Sequence, residues 1–115
     1  MAAPVGPYSP HYRIGNLIAI SGQLGLVDGV LADGFDAQVD AVLANLADQL
    51  EQAGLSKSDV IKTMVFLPDL DNFAVLNEKY AAFFDGHRPA RSTIGVAALP
   101  MGADVEIEAW AYLAE

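Results

Sequence analysis

Two of the chain's six Lys and Arg residues fall within the run Arg88-Pro89-Ala90-Arg91-Ser92, in a sequence that carries fifteen Asp and Glu. A guanidinium holds its proton at any ordinary pH and forks onto a carboxylate through two parallel hydrogen bonds. At the mouth of a strand, Arg91 therefore suits an anion clamp. The plainer reading has both arginines neutralising helix-end carbonyls or neighbouring acids. If the last two strands pair around the Pro100-Met101-Gly102 turn, Arg91 and Glu106 come from neighbouring strands near the same sheet end. Such a pair is either a salt bridge or a site that holds a substrate carboxylate on Arg91 and a water on Glu106, which suits hydrolysis of an α-imino acid. The imine carbon is already electrophilic, so good positioning and a weak base suffice.

Other chemistries lack their residues. The chain has no cysteine, which removes disulfides, thiolate nucleophiles and cysteine metal sites. His11 and His87 lack the spacing of a helical metal pair, so no metal site is expected. Ser21 and Ser92 have no adjacent base, and no nucleophile elbow, P-loop or dinucleotide fingerprint occurs. A net charge of −9 opposes binding to a phosphate backbone, so nucleic acid is not an expected partner. No run approaches the ~18 consecutive apolar residues that cross a bilayer, and no basic lead opens a signal-like apolar segment. No membrane partner is expected, and the cytoplasm is the expected compartment.

The elements that would position these residues follow from pattern. A length of 115 residues suits one domain over 1–115. Hydrophobic residues make up 53% and charged ones 18%, below the usual ~25%, which leaves apolar surface for self-association. The lead 1–11 holds three prolines that keep it out of a helix, with Tyr8 and Ser9 as side chains suited to polar work. Strands are predicted at 12–14 and 17–21 around a Gly15-Asn16 turn, and Gly22 at the end of the second suggests a bulge or a close backbone approach. Asp28-Gly29 is a further turn with a brief return strand. In 35–53, Val39, Val42, Leu43, Leu46 and Leu50 keep helical spacing, and Gly54 suits the stop. Ser56 and Asp59 have capping-box spacing. The β-branched run 60–67 reads as a strand in which Lys62 either snorkels to solvent or meets a subunit seam. Helical spacing returns over 71–85 with Phe73, Leu76 and Tyr80 on one stripe and Asn77 beside it. A strand at 92–99 precedes one at 104–113, whose period of two puts Val105, Ile107, Ala109, Ala111 and Leu113 on one face. Asp104, Glu106, Glu108, Trp110 and Tyr112 take the other, where a subunit seam would bury the aromatics and let an acid line a pocket. The order is β-β-(β)-α-β-α-β-β, an α+β fold with two helices packed on one face of a mixed sheet.

Several blocks together resemble the RidA (YjgF-like) family of reactive-intermediate deaminases. They are Gly6-Pro7-Tyr8-Ser9, Gly15-Asn16-Leu17, Ser21-Gly22-Gln23, Lys62-Thr63, Asn77-Glu78-Lys79-Tyr80, His87-Arg88-Pro89-Ala90-Arg91-Ser92 and Val105-Glu106-Ile107-Glu108-Ala109. The resemblance runs nearly end to end and in order. It implies a chorismate-mutase-like homotrimer with sites in the clefts between subunits, acting without a cofactor on enamines and imines such as 2-aminoacrylate to give 2-keto acids and ammonia. By position, Arg91 would hold the substrate carboxylate and Glu106 would place or activate water. Tyr8, Ser21, Gly22 and Asn77 would line the cleft, and Thr93 falls where many relatives have cysteine. Pro10, where the family often has Gln, and a shortened 24–34 segment depart from the pattern and would reshape the rim. Arg88 is expected to support the helix end or a subunit seam. A non-catalytic carboxylate-binding module using the same cleft is the competing reading, and a ribonuclease conflicts with the charge.

Overall fold

The computed structural model describes residues 6–114; the first five residues of the proline-rich lead and Glu115 lie outside the described residues. β1 (His11–Ile14) and β2 (Leu17–Leu24) pair antiparallel across the expected Gly15-Asn16 turn, where Gly15 takes φ 58°. β2 is longer than expected because it continues past a bulge. β3 (Leu26–Val27) and β4 (Val30–Leu31) form a small separate hairpin whose turn, Asp28-Gly29, has positive φ at both residues. This is the geometry that matches the twist of two-residue hairpins and that Asp-Gly tolerates.

Helix α1 (Phe35–Gln52) starts at Gly34 with no side-chain cap and stops where Gly54 takes φ 75°. The Asp59 carboxylate accepts from the Ser56 backbone N–H at 2.8 Å, closing the expected capping box ahead of β5 (Val60–Leu67). A single 3-10 turn, Leu70–Asn72, leads into α2 (Phe73–Phe84); Asp69 starts it by accepting from the Asp71 N–H at 2.9 Å. β6 (Ala90–Gly95) and β7 (Glu106–Tyr112) complete the set.

The five-stranded sheet has the order β1-β2-β7-β5-β6. Here the expected pairing of the last two strands is corrected: β6 lies parallel to β5, and β7 lies antiparallel to the other edge of β5. Parallel neighbours need a crossover, and α2 supplies it. Residues 96–105 then carry the chain past the end of β5, so Pro100–Gly102 is a 3-10 turn within a longer connection rather than a hairpin.

Both helices cover one sheet face. Val39, Val42, Leu46 and Leu50 of α1 and Leu76 of α2 are buried against Ile18, Val65, Leu67 and Ile107. Each such side chain contributes roughly 1.5–3 kcal/mol on leaving water. Val105, Ile107, Ala109 and Ala111 are buried as their alternation requires. On the opposite face Tyr12, Ile14, Trp110 and Tyr112 stay exposed, and Tyr12, Ile14, Leu17, Ala19 and Trp110 line a 230 Å³ hollow. Sequence and fold agree on a sheet with one covered face and one apolar open face.

Candidate functional site

Arg91 sits on the edge strand β6 opposite Thr63 of β5, which is opposite Ala109 of β7. Thr63 and Ala109 are buried under the helices, and residues opposite in register share a face, so Arg91 points to the helix side. There α2 holds it. Arg91 Nη2 donates to Asn77 Oδ1 at 2.7 Å, and the guanidinium lies 4.8 Å from the Tyr80 ring centroid and 5.5 Å from that of Phe73. Positions 73, 77 and 80 follow i, i+4 and i+7, one stripe of a helix, so three contacts to one cation come from a single face. Tyr80 is itself fixed by a 2.6 Å hydrogen bond to Thr63 Oγ1, and burial pushes its phenol above the ordinary value against the opposing pull of Thr63, Arg91 and Arg88. Two residues further along β6, Thr93 Oγ1 is buried and has no hydrogen-bond partner. A 310 Å³ cavity opens here, lined by Asn77, Tyr80, Ala81, Arg88, Pro89 and Arg91.

Glu106 faces the other way. It pairs with Leu24 and Phe66, off the helix-facing register, and shares the open face with Glu108 and Trp110. The pairing of β2 with β7 jumps from Ile20–Ala109 to Gln23–Ile107, so Ser21 and Gly22 form a bulge opposite Glu108. The bulge turns Gly22 onto the acid: a Cβ there would lie 2.7 Å from Glu106 Cδ and closer still to Oε2, nearer than side-chain carbons approach. Ser21 Oγ donates to the Ser9 carbonyl at 2.6 Å and the Ser21 N–H to that of Pro10 at 2.9 Å, which ties the lead carrying Tyr8 to the bulge. Burial first, and then the like charge of Glu108, raise the Glu106 carboxyl above the ordinary 4.5. At the start of β7 the Asp104 N–H donates to Gln38 Oε1 at 2.8 Å, fixing the strand two residues before the acid.

The residues singled out in the sequence therefore fall into two groups. Asn77, Arg91 and Thr93 share the helix-side edge, while Ser21, Gly22 and Glu106 share the open face with Tyr8 nearby. Arg91 and Glu106 do not meet across a hairpin: two strand spacings and three residues of offset place their Cα atoms roughly 14 Å apart, on opposite faces. Period two correctly assigned Glu106 its face; it is silent about which strand lies alongside.

Phe73 and Tyr80, placed by the pattern on a helix stripe, and Thr63, placed in a strand, orient Arg91. The signal available was the shared stripe of Phe73, Asn77 and Tyr80. Gln38 gave none, since a polar residue on a helix face ordinarily reads as solvated. The histidines are held structurally: His11 Nδ1–H donates to Gln49 Oε1 and His87 Nε2–H to the Val60 carbonyl, each at 2.7 Å. Among the described residues no three His, Asp or Glu side chains converge as a metal set, and no helix is long and apolar enough to cross a membrane.

Fold and site define a small α+β protein that carries an oriented arginine and a half-buried carboxyl of raised proton affinity on opposite faces of one mixed sheet. The chain belongs to the RidA/YjgF family: residues 1–113 match the family model described as Endoribonuclease L-PSP. It is 41% identical over 114 residues to Reactive Intermediate Deaminase A, chloroplastic, of Arabidopsis thaliana, covering 96% of this chain and 61% of that one. It is 40% identical over 112 residues to the 2-iminobutanoate/2-iminopropanoate deaminase of Salmonella typhimurium, covering 93% and 88%. The crystal structure of RidA from an Antarctic Psychrobacter superposes with a TM-score of 0.93 at 46% identity, covering 96% of this chain and 92% of the other.

Proposed function

We propose that the chain hydrolyses 2-enamine and 2-imino acids, such as 2-aminoacrylate, to 2-keto acids and ammonia, in clefts formed between copies of a homotrimer. The observation that carries this reading is the division of the site. Arg91 is oriented by Asn77, Tyr80 and Phe73 but has no carboxylate partner among the described residues, while Glu106 is half-buried on the other face with no cation paired to it. Two such halves complete each other when one copy presents its β6 edge to the open face of the next, and the exposed Trp110 and Tyr112 supply apolar area for that contact.

The chemistry follows from the groups. Arg91 receives the substrate carboxylate and fixes C2 in the cleft. The enamine takes a proton at C3 to give the iminium, and Glu106 places water against C2. Water adds, the C–N bond of the resulting carbinolamine breaks, and the carbonyl oxygen comes from water while its protons leave with nitrogen as ammonium. Burial and Glu108 raise the proton affinity of Glu106, which suits a carboxyl that takes a proton from the attacking water and returns one to the leaving amine. Names of the relatives support the activity, although the family description also mentions ribonuclease. Six cations against fifteen acids leave a net charge of −9 that repels a phosphate backbone, which disfavours that second activity.

The test is a coupled assay in which a pyridoxal-phosphate-dependent dehydratase releases 2-aminoacrylate and pyruvate formation is followed. The protein should accelerate pyruvate release, and Arg91→Ala should lower kcat/KM on the order of 100-fold while the oligomer keeps its mass. Pyruvate appearing at the buffer rate with wild-type protein would refute the activity.

A further inference from the structure

Arg88 was expected to support a helix end or seam; its Nη1 donates to the carbonyl of the preceding residue, His87, at 3.0 Å, three residues beyond the end of α2. That bond uses one of the five N–H donors of a guanidinium. The same side chain lines the 310 Å³ cavity beside Arg91, so two of the chain's three arginines face one space. The remaining lining is Asn77, Tyr80, Ala81 and Pro89, with no acid. On a chain of net charge −9 this is an unusual exclusion of carboxylates from two neighbouring cations. Neither arginine is ion-paired among the described residues, where the ion pair is Lys79 with Asp40 at 2.9 Å. Both guanidiniums lower the proton affinity of the Tyr80 hydroxyl, against the larger effect of burial.

Arg88 is exposed and Arg91 partly buried at the same 310 Å³ hollow, and a single carboxylate on Arg91 answers only one of the two charges. We infer that Arg88 is a second anion subsite, and that the site prefers a 2-imino acid bearing a second carboxylate on a short side chain over its monocarboxylate counterpart. This rests on the deaminase reading for the reaction but not for the binding. Arg88 would fork onto the distal carboxylate while Arg91 holds the one beside C2, fixing the chain at both ends and orienting the imine carbon.

Binding and turnover separate the two claims. Calorimetric titration of the assembled protein with 2-oxoglutarate and 2-oxobutyrate, at one ionic strength, should give roughly tenfold or greater preference for the dicarboxylate. Arg88→Gln should bring the ratio of dissociation constants close to one, and Arg88→Lys, which keeps the charge but not the fork, should fall between. Equal affinities in the wild-type protein, or a ratio unmoved by Arg88→Gln, would overturn the subsite. If Arg88 instead pairs with an acid of another copy, Arg88→Gln will lower the oligomer mass in gel filtration without moving the ratio, which also overturns it. In the second arm, an amino-acid oxidase generates the imines of glutamate and 2-aminobutyrate. Hydrolysis of both with no dicarboxylate preference removes the subsite and leaves the deaminase standing. Hydrolysis of neither, with the binding preference intact, removes the deaminase and leaves the subsite.

Discussion

Glu106 is the residue whose behaviour the surroundings change most. Burial and Glu108 raise its carboxyl above 4.5 in the folded chain, whereas the unfolded chain leaves it near that value. Between the two values the folded state binds the proton more tightly. The stability so gained is fully present below 4.5 and is lost as pH rises through the folded value. Glu106→Gln removes the ionisation, so thermal melts should show a variant more stable than wild type at pH 7, with the gain shrinking toward zero near pH 4. A constant difference across that range would contradict the assignment. In the deaminase assay the same variant should lose activity on the order of 10²–10⁴-fold, the usual worth of a proton-transferring group. Arg91 presents the opposite case. Its contribution lies in its orientation by Asn77 and two rings, so Asn77→Ala should raise KM more than it lowers kcat.

Elements decide what these side chains reach. The Ser21-Gly22 bulge leaves room for the Glu106 carboxyl only because position 22 has no Cβ. Gly22→Ala should displace the acid and cut kcat/KM by roughly tenfold or more, with circular dichroism close to wild type; an alanine variant of full activity would show that the bulge does not set the acid. α2 has two duties, burying Leu76 and Phe84 inward and presenting Phe73, Asn77 and Tyr80 to Arg91. Tyr80→Phe keeps the ring against the guanidinium and loses only the Thr63 bond, so it should keep more activity than Tyr80→Leu. In α1, Leu46 is completely buried, and Leu46→Ala should lower the urea-unfolding free energy by about 2–5 kcal/mol through loss of burial and the cavity left behind. Much of this element layer was legible. The stripe of α1, the stop at Gly54, the alternation of β7 and the bulge at Gly22 are each set by neighbours within a few residues, and they stand where the pattern put them. The strand expected over 92–99 ends at Gly95 instead, because β5 offers β6 pairing only as far as Leu67.

For the whole molecule, the division of the site between faces makes a test that a single-chain site would fail. Arg91→Ala and Glu106→Gln variants, each inactive alone, can be co-refolded so that copies mix. If each cleft takes its arginine from one copy and its acid from the next, random mixing restores both residues in about a quarter of clefts. Activity should return to that order. A site contained within one chain would stay inactive at every mixing ratio. The open face carrying Trp110 and Tyr112 should become inaccessible on assembly, and tryptophan fluorescence should shift to shorter wavelength as the oligomer forms. The charge balance of the whole chain bears on specificity too, since the cavity around Arg88 and Arg91 is a positive island on an acidic surface.

The sequence by itself determined the α+β order, the face on which each β7 residue lies, and the residue types able to hold a carboxylate and move a proton. These follow from local periodicity and from the chemistry of side chains, which need no knowledge of distant contacts. Tertiary structure alone decided that β5 separates β6 from β7, that Arg91 and Glu106 therefore point to opposite faces, and that Arg88 shares a cavity with Arg91. Strand pairing joins residues far apart along the chain, and period two assigns a face without naming a neighbour. Only the crossover through α2 and the long return over 96–105 select which edge each strand takes.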